Sequence, residues 1–284
     1  MQGLVLEGGS MRPIFSSGVM DALLDEGIEF PYVIGVSAGI TDGVSYVSKQ
    51  RHRNYDITVG FRNDKRYFGL RNFISDRSIF GIKFLFEDVP TSILPFDFET
   101  YRSSNTKVLV GVTNALTGDA EYLDGDTLDE KSDILVASCS QPVLFPARVI
   151  NGVPYYDGGI ADSIPAEKAV KDGCDKLLIV LTRQEGYKKG SFDPKLVFGG
   201  LAVKCKYPNL AKALYRRNDV YMKQIEYCEE LERQGKAIIL RPSEFEMISS
   251  FESDAKKLSR FYDHGYELAM SRMDEIKDFF KEGK

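Results

Sequence analysis

The chain contains no tryptophan, two histidines and four cysteines. Cys139, Cys174, Cys205 and Cys228 are widely spaced and make no CxxC pair, so neither a zinc module nor a disulfide framework is expected, and no metal or other cofactor is implied. No run approaches the ~18 consecutive apolar residues of a membrane span. The opening MQGLVLEGGSMR lacks a basic segment followed by an apolar one, so neither export nor a spanning anchor is expected. A cytoplasmic setting with reduced thiols fits these absences. Net positive charge is missing too: 37 Lys and Arg stand against 42 Asp and Glu, net −5, which gives no global attraction to nucleic acid. What is present is an ordinary 43% of hydrophobic and 28% of charged residues over 284 positions, the makeup of a globular chain able to bury a sizeable core.

The charge is uneven. Lys49, Arg51, Arg53, Arg62, Lys65, Arg66, Arg71 and Arg77 face only Asp56, Asp64 and Asp76 between Lys49 and Arg77. Such a segment is ordinarily a solvated face, but it also suits peripheral contact with an anionic inner-membrane surface. Oligomeric state is not legible.

Short apolar runs alternate with amphipathic ones in the first half, the pattern of βαβ units around a mainly parallel sheet. Strands are expected at Gly3–Leu6, Tyr32–Val36, Lys107–Asn114, Ala120–Leu123 and Lys176–Leu181, with helices at Pro13–Glu26, Ala38–Gln50, Leu128–Ser138 and Ile164–Lys171. Asn151-Gly152 between Phe145–Ile150 and Val153–Tyr156 predicts a hairpin. After Arg183 come a loop, a polar helix over about Asn209–Gln234, a strand at Ala237–Leu240, and one final helix with apolar residues from Leu258 to Phe280 spaced by three and four. With no linker or repeat, the chain reads as one globular unit, residues 1–183 forming its main α/β part and 184–284 a mostly helical region packed on it.

Gly35-Val36-Ser37-Ala38-Gly39 lies between an expected strand and helix, the setting of a G-x-S-x-G nucleophile elbow. The small residues flanking Ser37 permit a tight turn, and the helix N-terminus favours a developing anion beside it. Ser37 needs a base. His52, fifteen residues on, would be about 20 Å away if the helix continued at ~1.5 Å per residue. His264 falls about 120° from the apolar face of the last helix at ~100° per residue, a solvent-facing position. Asp157, at the end of an expected strand and before Gly158-Gly159, is the best placed of many carboxylates, provided burial or hydrogen bonding tunes it. Its plainer reading is an Asp-Gly turn. Glu7-Gly8-Gly9-Ser10-Met11-Arg12 follows the first strand and precedes a helix that Pro13 can start. Its backbone N–H groups suit an oxyanion or a phosphate.

LVLEGGSMR, GVSAG and YYDGGIADSIP, in this order, resemble the patatin-like phospholipase family, specifically its small bacterial members, over roughly residues 2–183; SCSQPVLFP from Ser138 to Pro146 adds to the likeness. The resemblance implies a three-layer α/β/α fold with a mainly parallel central sheet, a lipid ester substrate, Ser37 as nucleophile and Asp157 as base. It also implies an oxyanion hole at Gly8, Gly9 and Ser10, supported by Arg12, Gly35, Gly39, Gly158 and Gly159. Two positions depart from the family's Gly-Gly-Gly-x-Arg/Lys-Gly loop: Ser10 stands for the third glycine and Pro13 for the last. Ser10 needs backbone angles that tolerate a Cβ, and a weakened oxyanion hole costs about 2.7–4 kcal/mol. One alternative is therefore a lipid-binding protein with impaired catalysis; another is a His264-dependent esterase, since His264 follows Ser37 in the chain order of a Ser-Asp-His triad. Phe80, Phe84, Phe86, Phe96 and Phe98, within Ile79–Phe98, suit either an acyl-chain wall or plain core.

Overall fold

In the computed structural model, which describes residues 1–69, 72–76, 78, 80–190, 193–244 and 247–281, eight strands form one sheet in the order β5-β6-β3-β2-β1-β7-β8, with β4 paired to β3. Strands β1 (Gln2–Leu6), β2 (Tyr32–Val36), β3 (Lys107–Asn114), β7 (Lys176–Val180) and β8 (Ala237–Leu240) run parallel. Strands β4 (Ala120–Asp124), β5 (Arg148–Ile150) and β6 (Val153–Asp157) make the antiparallel edge. The parallel strands are mostly apolar, Gln2, Lys107, Thr113, Asn114 and Lys176 standing at their ends, because helices cover both faces.

Side-chain alternation makes the layers. Leu4, Leu6, Val33, Leu178 and Val180 enter the core beneath α1 (Ile14–Asp25) and α2 (Ala38–Val47). Val5, Ile34, Leu177 and Ile179 enter the core on the opposite face. Between α2 and β3 lie short helices α3 (Arg53–Tyr55), α4 (Asn72–Ser75) and α5 (Phe98–Ser103), and π-helical turns at Asp56–Gly60 and Phe84–Ile93. Helices α6 (Asp133–Cys139) and α7 (Ala166–Lys171) complete the first part; α8 (Pro194–Val203), α9 (Pro208–Arg233), α10 (Ala255–Ser271) and α11 (Met273–Phe280) follow. Helix α10 crosses α1 on glycines: a methyl on Gly18 would lie 2.1 Å from the Tyr262 carbonyl oxygen, and one on Gly265 2.0 Å from that of Phe15. The C-terminal region thus supplies both an edge strand and a helix packed on the first helix.

The hairpin forms at Asn151-Gly152, with φ of 51° and 80°, the two positive values of a type I′ turn. Several expected boundaries move. The helix foreseen from Leu128 begins at Asp133, because Ser132 is left-handed at φ 53°. The strand foreseen from Phe145 begins at Arg148, since Gln141–Phe145 is a turn closed by Phe145 N–H on the Gln141 carbonyl. The single last helix is two, broken at Arg272.

The basic segment is not one exposed face. Arg53 and Arg62 are buried, donating to the carbonyls of Pro95 and Glu252, while Lys49, Arg51 and Arg66 pair with Glu29, Asp25 and Asp64. Arg71, Arg77 and Ile79 lie outside the described residues.

Candidate active site

The loop after β1 and the turn after β2 leave the carboxyl ends of adjacent parallel strands, where sites on such sheets assemble. Ser37 occupies the turn between β2 and α2 with φ 54° and ψ −138°, a conformation that L residues rarely adopt and that persists only where surrounding contacts enforce it. They do so on both sides. The Ser37 N–H donates to Ser138 Oγ at 2.7 Å, and that hydroxyl donates to the Gly111 carbonyl at 2.7 Å. A methyl on Gly39 would stand 2.5 Å from the Glu7 carbonyl oxygen, and one on Gly35 2.9 Å from that of Leu6; only glycines let the elbow sit this close to β1.

Asp157 reaches Ser37 through strand register. Val36 lies opposite Gly111 and Asp157 opposite Val112, so both side chains flank the same two residues of β3. Ser37 Oγ donates to Asp157 Oδ2 at 2.8 Å. The other carboxylate oxygen accepts from Gly159 N–H at 2.8 Å, and the Asp157 N–H is held by the Ser140 carbonyl at 2.7 Å. Asp157 is 2% exposed. Burial pushes its carboxyl above the ordinary carboxylate range, opposed by the Arg217 guanidinium and by hydrogen bonds from Ser37, Gly159 N–H and Gln141. A carboxylate so placed is a stronger base than one in water.

Gly8, Gly9 and Ser10 pass beside this pair. A methyl on Gly8 would lie 3.0 Å from Ser37 Cβ. Among the described residues, the N–H groups of Gly8, Gly9 and Ser10 have no hydrogen-bond partner, which leaves them free for a developing negative charge. Ser10 adopts φ 56°, the conformation a glycine would take without strain, so the Cβ is accommodated at an energetic cost. Pro13, at φ −58°, precedes the first turn of α1, and its carbonyl accepts the Ser17 N–H. Arg12 is buried and ties the loop to Thr182 Oγ1 at 3.4 Å and to Ser250 Oγ. Burial, with Arg183 nearby, lowers its guanidinium to about 10.

Neither histidine joins Ser37. His264 is half-buried rather than solvent-facing: its Nε2 accepts the Ser243 N–H at 3.0 Å, and its ring lies 5.5 Å from that of Phe15. Helix α2 stops at Val47, so His52 is not carried on its continuation; its ring packs on Tyr55 and faces Asp56.

A cavity of about 160 Å³ opens beside Ser10 and Ser37, and Phe80, Phe86, Phe96 and Phe98 line its wall. Phe84 is instead core, 3% exposed. Asp42 also lines the cavity; burial raises its carboxyl to about 8, and Ser17 Oγ donates to it at 2.7 Å. Sequence reasoning missed Gly111, Asp42 and Arg217. Spacing gives no warning of the first two, and Arg217 is one cation in a polar helix.

Among the described residues, no group of three or more His, Cys, Asp and Glu side chains is arranged to hold a metal, and no helix is long and apolar enough to cross a membrane.

A family model described as patatin-like phospholipase matches residues 4–170, and one described as a domain of unknown function (DUF6363) matches residues 207–281. The uncharacterized protein YjjU of Escherichia coli is 26% identical over 184 residues, 63% of this chain and 51% of that protein, so the chain spans about half the length of this curated relative. The crystal structure of VipD from Legionella pneumophila superposes with a TM-score of 0.48 at 14% identity, over 96% of this chain and 67% of that one. The first of these models takes in more than half of the chain, including the loops that carry Gly8, Ser37 and Asp157, and the chain therefore belongs to the patatin-like phospholipase family.

Proposed function

We propose that the protein is a serine lipid acyl hydrolase of the phospholipase A or lysophospholipase kind. The observation that carries this reading is the 2.8 Å hydrogen bond from Ser37 Oγ to a buried Asp157 carboxylate, beside three loop N–H groups that find no partner among the described residues. Asp157 takes the Ser37 proton as Oγ attacks the acyl carbonyl. Gly8, Gly9 and Ser10 hold the oxyanion through their N–H groups, acting where charge develops. As the intermediate collapses, Asp157 returns the proton to the departing alcohol. Water then attacks the acyl-serine with Asp157 again as base, releasing the fatty acid and restoring Ser37. The phenylalanine-lined cavity beside Ser37 suits the acyl chain, and apolar burial there supplies binding energy.

The test is hydrolysis of a short-chain nitrophenyl ester and of a phospholipid by wild type, Ser37→Ala and Asp157→Asn, with fluorophosphonate labelling of Ser37. Loss of turnover in both variants is expected, and of labelling in Ser37→Ala; activity surviving both changes sinks the dyad. Vesicle binding by a protein that neither turns over ester nor takes the label would favour the lipid-binding reading.

A further inference from the structure

We propose that helix α9 completes this site: Arg217 is a positioning residue that holds the Asp157-Gly158-Gly159 turn and keeps Asp157 in its proton-accepting, anionic form. The inference rests on the Ser37–Asp157 reading and extends the site into residues 207–281, the part matched by the domain of unknown function.

Arg217 Nε donates to the Gly159 carbonyl at 2.5 Å, and Ser163 Oγ donates to the same oxygen at 2.8 Å. The N–H of Gly159 holds Asp157 Oδ1. One glycine therefore links guanidinium and carboxylate through its backbone. Its missing side chain matters as well: a methyl there would stand 3.1 Å from Asp157 Oδ1 and 3.5 Å from Arg217 Nη2, between the two charges.

The same helix also grips the segment that follows this turn. Gln224 donates to Asp162 Oδ1 at 2.6 Å and accepts the Ser163 N–H at 3.2 Å. Tyr221, 1% exposed, lies beneath Lys189 Nζ at 3.3 Å. Positions 217, 221 and 224 are one helical face.

The groups around Asp157 assign the charge balance to Arg217. Ser37, Cys139 and Gln141 approach from the elbow and from the end of α6. A small cavity of about 20 Å³ on its other side is lined by Glu7, Arg12, Lys189 and Arg217. Glu7 is held by the Thr182 N–H at 2.6 Å, and Arg12 by Thr182 and Ser250. Burial, with Arg217 close by, lowers the Lys189 amine to about 6. Among the cations, Arg217 is the leading charge that offsets the desolvation of Asp157. Without it the carboxyl retains its proton to higher pH and cannot accept the one from Ser37.

The experiment is the pH profile of kcat/KM with nitrophenyl butyrate, between about pH 5 and pH 10, for wild type, Arg217→Gln and Arg217→Lys, with thermal melts to verify folding. Ser37→Ala and Asp157→Asn are the controls. Arg217→Gln should move the acidic limb up by about one unit or more, with about tenfold lower activity at pH 7 that recovers at high pH. Arg217→Lys should hold the limb near its wild-type position at a reduced plateau. A folded glutamine variant with an unmoved limb overturns the proposal, as does an equal loss in both variants at every pH. If the glutamine variant does not fold, the lysine variant decides, and a limb raised by about one unit in it is the overturning result. Wild-type turnover in either control refutes the dyad itself and this proposal with it, an outcome distinct from an unmoved limb.

Discussion

The bare α-carbon of Gly158 rests against the backbone of Gly111, so close that a methyl on Gly158 would stand 2.2 Å from the Gly111 carbonyl oxygen. A methyl on Gly111 would in turn lie 2.5 Å from Val36 Cγ1. Strand β3 separates β2 from β6, yet Ser37 and Asp157 meet across it, because Gly111 leaves the intervening strand bare and Gly158 lets the end of β6 close against it.

Gly158→Ala should therefore part the dyad. Overpacking of this kind destabilises by about 1–3 kcal/mol, and a misplacement of about 1 Å in a reacting pair can reduce turnover about 100-fold. Ester hydrolysis alongside a thermal melt measures both. An alanine variant with wild-type turnover would show that the dyad tolerates a wider strand spacing.

Ser138, fully buried, holds the backbone of the turn that carries Ser37, the proposed nucleophile. Ser138→Ala leaves the buried Ser37 N–H and the Gly111 carbonyl without their 2.7 Å partner. An unsatisfied buried group costs about 1–3 kcal/mol. Chemical denaturation should show a loss of that order, and kcat should fall more than KM changes, because the strained elbow relaxes.

At position 10 the change runs the other way. Ser10 holds φ 56°, and a non-glycine residue in the left-handed region is disfavoured by about 1–2 kcal/mol. Ser10→Gly removes that strain while giving back part of it to a more flexible unfolded chain, so a modest gain in melting temperature is expected with turnover retained or raised. A loss of turnover would mean that the Ser10 hydroxyl contributes to the site.

Stability should depend on pH through Asp42. Burial raises its folded-state carboxyl to about 8 from an ordinary 3.8, so the folded chain keeps a proton that the unfolded chain gives up. Stability from this group is complete below the unfolded value and is lost as pH rises toward 8. Asp42→Asn should flatten the fall in melting temperature between about pH 5 and pH 8 and retain the bond from Ser17. Asp157, also raised, contributes a residual slope of the same sign. A variant melting curve parallel to wild type across that range would contradict the assignment.

Local pattern carried much of the reading. A strand, an abrupt turn and a helix around Ser37 are legible because each is set within a few residues, and Asn151-Gly152 announces its hairpin by its own backbone freedom. The π-helical stretch Phe84–Ile93 was not legible, since Pro90 within it hides any regular period. Nor was the fate of the basic segment: Arg53 and Arg62 read as surface cations but are buried, because backbone carbonyls from distant segments were available to accept them.

The order of the three glycine-bearing motifs, the parallel strands and the scarcity of histidine were determined by the amino-acid sequence itself, for each follows from residue type and spacing. Tertiary structure decided which carboxylate meets Ser37, that Ser10 tolerates a positive φ, and that Arg217, sixty residues after Asp157, lies beside it. Those outcomes depend on strand register and on helix α9 packing over the sheet, contacts between positions far apart in the chain that no local period encodes.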